Sequence, residues 1–305
     1  MVIDVRMCHP IAPADVALVR GLADAAEAAD GHPPLGDAVW RDLHAPSDHS
    51  ILWFAFDGDR PVGALHAIAA ADRSVTAAVV VHPEQREGGV AAAMIDAWLA
   101  NLSSHGPRHV TLWAFGADDR ADALAEAGRF QVERELWQMR VPLPLAEEPR
   151  WPPGITTRPF VVGQDEAAWV TVNNQAFVHD PDQGGWSEDD LRRLETEPWF
   201  DPTGFLLAID ERGLAGFCWT KVHAPAPPNE PHALGEIYVI GVDLDRQGSG
   251  LGRALVVGGL ASLYERGSSV GMLFVDASNT PAVALYKALG FTTTRVDRAY
   301  ALEIV

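Results

Sequence analysis

One stretch of the second half carries residues whose types and spacing could do chemistry. Glu236 opens the apolar run Ile237-Tyr238-Val239-Ile240-Gly241-Val242, and the segment Gln247-Gly248-Ser249-Gly250-Leu251-Gly252-Arg253 follows it. The β-branched and aromatic run predicts a fully buried strand. The glycine segment leads into Ala254-Leu255-Val256-Val257, which predicts a loop opening a helix. Such a loop aims several backbone N–H groups at one point, and its glycines let that backbone approach a ligand closely. The helix end adds partial positive charge. The chemistry is that of a phosphate cradle. It is not the P-loop, because no Gly-Lys-Ser/Thr closes it, and it is not the G-x-G-x-x-G dinucleotide fingerprint. Its order is Gln247-x-x-Gly250-x-Gly252, five residues after Val242.

The whole chain bounds what such a cradle serves. At 305 residues and 48% hydrophobic content it accommodates two domains with full cores. A formal charge of −19 argues against nucleic acid and anionic membranes as partners. It leaves the local field of a loop and helix end free to hold an anion, and mildly favours a cationic or polyhydroxyl substrate. Two cysteines, Cys8 and Cys218, indicate no disulfide framework. Neither a signal pattern nor a run of 18 apolar residues is present. A soluble cytoplasmic protein, monomeric and without a metal, is therefore expected.

The elements that must position the loop occur twice. Helical spacing covers 12–30 and 37–43; strands are predicted over 51–56, 61–69 and 75–81, then a loop and a helix. Val81 lies five residues before Arg86 as Val242 lies five before Gln247, and Arg86-x-x-Gly89-x-Ala91 matches the second loop. Leu124-Ala125-Glu126-Ala127 precedes Phe130 as Leu285-Tyr286-Lys287-Ala288 precedes Phe291. The halves read as two copies of one fold. Five prolines between 142 and 154 mark that segment as the linker, so the expected domains are 1–141 and 155–305. In the second copy, helices are predicted over 166–177 and 188–196, and a strand hairpin over 205–209 and 215–222. A proline-rich loop spans 225–231, a strand 270–275, a helix 280–289 ended by Gly290, and two short strands 291–302.

The loop order resembles the acetyl-CoA pyrophosphate loop of the GNAT superfamily of N-acetyltransferases, usually written Q/R-x-x-G-x-G/A. The resemblance implies an α/β fold (α+β, mixed sheet) of two tandem GNAT domains with acetyl-CoA as acetyl donor. Implied cofactor contacts are Ile240, Gly241, Val242, Gln247, Gly248, Ser249, Gly250, Leu251, Gly252, Arg253 and Asn279. In the first half they are Val79, Val80, Val81, Glu87, Gly88, Gly89, Val90, Ala91 and Ala92. That first loop either binds the cofactor or keeps only its shape.

Acetyl transfer from a thioester to an amine requires that the amine lose a proton, the carbonyl be polarised and the departing thiolate be protonated. Glu236, near the strand start, can take the amine proton, usually through water. A backbone N–H at the splayed strand end around 240–242 can polarise the carbonyl, and the Tyr286 hydroxyl can protonate the thiolate. Alone, Glu236 reads equally as a strand-edge acid and Tyr286 as a packing ring; around one cofactor loop they read as a catalytic pair. The first half lacks both groups: six residues before Val81 stands Val75, no carboxylate occurs from 74 to 81, and Ala125 stands in the place of Tyr286. That half is expected to be catalytically degenerate.

Tandem GNAT halves with activity in the second resemble the mycothiol synthase family. The strings that carry this are Val172-Asn173-Asn174-Gln175-Ala176-Phe177, Gln183-Gly184-Gly185-Trp186, Trp219-Thr220-Lys221-Val222-His223 and Gly235-Glu236-Ile237-Tyr238-Val239. The resemblance implies acetylation of the cysteinyl amine of cysteinyl-glucosaminyl-inositol, a small thiol-amine substrate, in the last step of mycothiol biosynthesis. Implied substrate contacts are Asp37, Asp182, Lys221, Glu236 and Phe274. The chain departs from the family pattern where Asp37 and Asp182 stand for Glu, Phe274 for Tyr and Ala284 for Arg. Two alternatives stay open: a GNAT enzyme acting on another small amine or an aminoglycoside, and an acyl-CoA-binding protein without turnover. Asp37 is equally a candidate helix N-cap.

Overall fold

The computed structural model describes residues 3–103, 106, 108–178, 183–225 and 233–304. Asp182 and most of the expected 225–231 loop lie outside the described residues. Two compact units emerge. The first comprises Met1–Trp137, Asp276–Ser278 and Arg295–Val305; the second comprises Gln138–Val275 and Asn279–Thr294. The division differs from the boundaries read from the prolines. The 142–154 segment belongs to the second unit, and the end of the chain belongs to the first.

The first unit begins with β1 (Ile3–Cys8), α1 (Pro13–Asp30) and α2 (Asp37–His44), followed by β2 (Ser50–Asp57), β3 (Arg60–Ala69) and β4 (Val75–Val81). Then come α3 (Val90–Ser103), β5 (Arg108–Ala114), α4 (Asp119–Ala127) and the start of β6 (Gln131–Pro142). Pro13 sits in the first turn of α1, where its missing N–H costs nothing, and Gly31 closes the helix in the left-handed region at φ 77°. Val19, Leu22, Ala23 and Ala26 bury the inward face of α1. The antiparallel run β1-β2-β3-β4 continues into a parallel β4–β5 pair. One face packs on Met94, Ile95 and Trp98 of α3, the other on α1.

Residues Arg295–Ile304 of the last strand, β12 (Thr292–Ile304), complete this unit. Its residues Arg298–Ile304 run antiparallel to β5, from Arg298 opposite Ala114 to Ile304 opposite Arg108. The sequence reading of two short strands here is corrected to one 13-residue strand. No glycine or proline interrupts 292–304, and β5 offers a full ladder of backbone partners. Tyr300 and Ala299 are buried there, and Arg298 pairs with Asp122 at 2.8 Å and Glu135 at 2.7 Å.

The second unit repeats the plan with β7 (Thr156–Pro159), α5 (Glu166–Ala176), α6 (Glu188–Glu195), β8 (Phe205–Asp210) and β9 (Gly213–His223). It continues with β10 (Leu234–Val242), α7 (Leu251–Glu265), β11 (Val270–Asp276) and α8 (Thr280–Ala288). The sheet runs β7-β8-β9-β10-β11, antiparallel except for the parallel β10–β11 pair. An aromatic core anchors it. Trp219 stacks on Phe205 at 4.6 Å between ring centroids, Phe205 stacks on Phe160 at 4.5 Å, and Trp169 meets Trp219, Phe205 and Phe217 edge-on. Edge-on and offset rings are favourable because the ring edge is positive and its face negative.

Candidate active site

Strand β10 carries the candidate base, and its irregularity shapes the site. Against β9 the register runs from Leu234 opposite His223 and Glu236 opposite Lys221 to Ile237 opposite Thr220. It then resumes with Val239 opposite Trp219. Tyr238 is therefore an extra residue, a β-bulge. Parallel pairing with β11 covers only Leu234–Ile237 against Val270–Leu273. Beyond it, the backbone of Ile240, Gly241 and Val242 lies past its partner on that side, which is the splay expected to free an N–H for a carbonyl oxygen.

The bulge corrects the comparison between halves. β3 and β4 pair without irregularity, Gly63 opposite Val81 through Ala69 opposite Val75. Counting by register rather than by sequence, Thr76 and not Val75 corresponds to Glu236. Ile68 corresponds to Lys221, and Ala70 to His223. The first unit thus has no ionisable group at any of the three places.

Glu236 is 7% exposed. Its Oε2 lies 2.6 Å from His223 Nε2, and the imidazole is about one-third exposed. Lys221, its cross-strand neighbour, holds its ammonium 4.6 Å over the Trp199 ring and 5.5 Å over that of Tyr238. A cation over an aromatic face is attracted by the ring quadrupole, which fixes a flexible side chain at a defined height above the sheet. A carboxylate, an imidazole and an ammonium therefore lie together on adjacent strands.

The glycine loop has the backbone its spacing predicts. After a one-turn 3₁₀ segment at Leu244–Arg246, Gly248 and Gly250 take φ of 76° and 88°. A Cβ at either would meet nothing within 4 Å, so these glycines serve conformation rather than packing and leave open space above the loop. Arg246 anchors the segment through Asp210 at 3.0 Å and Asp243 at 2.9 Å, and the Ser249 hydroxyl donates to the Arg246 carbonyl at 2.6 Å. Gly250 caps α7 without a side-chain acceptor. The Leu251 N–H donates to the Ser249 hydroxyl at 3.4 Å, and those of Gly252 and Arg253, in the first turn of α7 without intrahelical partners, are the ones a ligand beside the loop can use. A cavity of about 410 Å³ adjoins it, lined by Gly250, Arg253, Ala254, Val257, Glu147 and Arg150. Arg253 is held by Glu147 at 2.6 and 2.9 Å. A glycine cradle beside a guanidinium fits a diphosphate.

Tyr286 is buried on α8 against Phe291, centroids 5.6 Å apart. Burial, with the Cys218 thiol nearby, pushes its hydroxyl well above the ordinary tyrosine range, so it stays protonated as pH rises. Burial also pushes the Cys218 thiol up to about 12, which removes it as a nucleophile. Asn279 is exposed and caps α8, its side chain accepting from the Ala282 N–H at 3.2 Å. Phe274 is half-buried on β11. Asp37 belongs to the first unit, where it is the first residue of α2; Gly36 is the N-cap, so the capping alternative for Asp37 is corrected.

The loop of the first unit is built differently. Pro83–Gly88 forms a 3₁₀ segment and Gly89, at φ 73°, precedes α3. Arg86 is clamped bidentately by Asp30 at 2.6 and 2.7 Å. Parallel pairing of β4 with β5 ends at Ala78 opposite Trp113, so Val79–Val81 splay as their counterparts do. Of the other expected contacts, Glu87 and Gly88 end the 3₁₀ segment, Val90 is fully buried, and Ala91 and Ala92 stand in the first turn of α3.

Sequence reasoning missed His223, Trp199, Glu147 and Arg150 at this site. His223 carried a signal, because it ends the strand that must pair with Glu236. Glu147 and Arg150 sat in a segment read only as a spacer. Among the described residues, no group of three or more His, Cys, Asp or Glu is arranged to hold a metal ion.

Known proteins resemble this chain in sequence and in fold. Residues 171–291 match the Acetyltransferase (GNAT) family. The chain is 42% identical to the mycothiol acetyltransferase of Thermobispora bispora over 292 residues, covering 94% of this chain and 96% of that protein. It is 43% identical to that of Catenulispora acidiphila over 302 residues, covering 95% and 96%. The fold is similar to a GCN5-related N-acetyltransferase from Sphaerobacter thermophilus, with a TM-score of 0.74, 24% identity and coverage of 99% and 96%. It is also similar to a tandem GNAT protein from the clavulanic acid biosynthesis pathway, with a TM-score of 0.72, 18% identity and 99% coverage of both chains.

Proposed function

The chain belongs to the mycothiol acetyltransferase family, and on that premise we propose that its second unit transfers acetyl from acetyl-CoA to the cysteinyl amine of cysteinyl-glucosaminyl-inositol. The observation that carries the reading is the conjunction, in one unit, of the open glycine cradle with a buried carboxylate at the base of a splayed strand. The backbone of 247–253 would hold the diphosphate of the donor. The splayed backbone at 240–242 would receive the thioester oxygen. Glu236 takes the amine proton through water, and Tyr286 protonates the departing sulfur. Lys221, Glu236, Asp182 and Phe274 contact the acceptor. Carboxylates and an ammonium suit a surface of dense hydroxyls through charge-assisted hydrogen bonds.

We assign no turnover to the first unit, since Thr76, Ile68 and Ala125 stand where the second has Glu236, Lys221 and Tyr286. Among the described residues no helix is long and apolar enough to cross a membrane; a cytoplasmic setting is part of the proposal.

The test is an acceptor panel with purified protein. Coenzyme A release and a product heavier by one acetyl group are expected with the cysteinyl pseudodisaccharide. Preferential turnover of an aminoglycoside or another amine would replace the acceptor, and binding of acetyl-CoA without any turnover would replace the reaction.

Two smaller effects follow from the same geometry. Tyr286→Phe keeps the ring in its pocket and removes the proton donor, so kcat falls by about 10²-fold with little change in the KM for acetyl-CoA. Because the hydroxyl is held above its usual range, wild-type kcat shows no loss of this donor up to about pH 10. Glu147→Gln releases Arg253 for the donor phosphates. The pair is 40% exposed on both sides and therefore weak, so the KM for acetyl-CoA drops by no more than about fivefold. A steady-state titration of acetyl-CoA at saturating acceptor measures both.

A further inference from the structure

We infer that His223 relays to solvent the proton that Glu236 takes up, so that the buried carboxylate and the half-exposed imidazole work as one unit. The inference rests on the reading of Glu236 as the base given above. A base must return to its anionic form in every turnover. Glu236 has a side chain only 9% exposed, and so has little direct route to bulk water. The His223 ring spans that gap, with Nε2 2.6 Å from Oε2 and one-third of the side chain open to solvent.

The balance closes without any further reagent. The ammonium form of the acceptor loses one proton, which passes through water to Glu236. Oε2 passes it to Nε2 of an imidazole in its Nδ1–H form, the ring releases the Nδ1 proton to solvent, and proton exchange with water restores the Nδ1–H form before the next turnover. The nitrogen lone pair forms the new C–N bond and the C–S bond breaks. The second proton from nitrogen is matched by the one that Tyr286 gives to sulfur. One proton appears in solution per acetyl transferred. Imidazole suits such a relay because its two nitrogens can bind and release a proton on opposite sides of the ring.

Two further observations point the same way. Leu234 is the cross-strand partner of His223 and Glu236 that of Lys221, so the imidazole approaches the carboxylate diagonally from the strand end, away from the ammonium. In the first unit, Ala70, Thr76 and Ile68 stand at these three register positions, so the relay and the base are missing together. His223 touches no reacting atom; it is a positioning residue that acts through Glu236.

The experiment compares His223→Ala, His223→Asn and Glu236→Gln in the full chain, with acetyl-CoA binding by calorimetry as the control for folding. His223→Ala is expected to lower kcat on the order of 10- to 100-fold at unchanged KM for acetyl-CoA. Added imidazole should restore much of it, and substituted imidazoles should do so in step with their basicity. His223→Asn can donate a hydrogen bond to the carboxylate but cannot relay a proton, so it stays slow. Wild-type kcat in His223→Asn, or slow His223→Ala turnover that no imidazole restores, overturns the relay while leaving the base assignment intact. Full activity in Glu236→Gln would instead overturn the base assignment, and the relay with it.

Discussion

Glu236→Gln leaves a folded protein that binds acetyl-CoA and turns over about 10²–10⁴-fold more slowly. The amide matches the carboxylate in size, which matters because Glu236 is 7% exposed and sits where β9, β10 and β11 meet. Packing should survive the change; the capacity to take a proton does not. Lys221 loses the charge opposite it but keeps its seat over Trp199 and Tyr238, so the neighbourhood should not collapse. The glycine cradle lies on the loop after the strand and is untouched. The signature is therefore a split: calorimetry gives the wild-type affinity for acetyl-CoA, while thiol release in the presence of acceptor nearly stops. Unchanged turnover would move the base elsewhere.

Trp219→Ala costs the second unit about 3–5 kcal/mol. The indole is fully buried, stacks on Phe205 at 4.6 Å and meets Trp169, Trp199, Phe200 and Tyr238 within 5.9 Å. Surrounding rings cannot all collapse into the space, so a cavity remains and its lining loses contacts outright. Trp199 and Tyr238 also carry the Lys221 ammonium, so weaker acceptor binding should accompany the lost stability. Denaturant unfolding followed by tryptophan fluorescence measures the first, and the acceptor KM the second. Trp219→Phe separates ring from nitrogen. Among the described residues the indole N–H has no hydrogen-bond partner, so phenylalanine removes a stranded donor and costs far less than alanine. Equal stability of wild type and Trp219→Ala would mean that this aromatic cluster does not anchor the unit.

Local signals made much of the site legible. The glycine spacing foretold a loop that opens a helix; that Gly248 and Gly250 take the left-handed region is a finding of the structure. The apolar run after Glu236 foretold a strand, and the repeat foretold two units. Boundaries of α1, α2, β4 and α8 came within a residue or two, because proline, glycine and apolar period mark them. What escaped was non-local. Nothing in the linear order announces that Tyr238 is a bulge, since a bulge is a property of pairing between two strands. Counting residues from Val242 therefore aligned Glu236 with Val75 instead of Thr76. His223 and Glu236 are thirteen residues apart, and only the register across β9 and β10 brings them to 2.6 Å. The 142–154 segment was read from its prolines as a spacer. Its Glu147 and Arg150 reach the cavity beside the cradle because the proline run still lies against α7. The final strand looked like two because threonines and charges dilute its apolar period, and its partner, β5, lies far back in the sequence.

The placement of Arg298–Ile304 on β5 has a consequence for how the protein is made. During translation the first unit emerges early, yet the outer edge of β5 stays open until residues 298–304, about 190 positions later, have been made. At ordinary elongation rates that delay is on the order of ten seconds or more. An exposed strand edge over that interval is a ready template for pairing with other chains. Nascent protein should therefore depend on holdase protection until that strand has emerged from the ribosome. For the same reason, genes split at the proline run should give an insoluble amino-terminal fragment, rescued by co-expression with the carboxyl-terminal one.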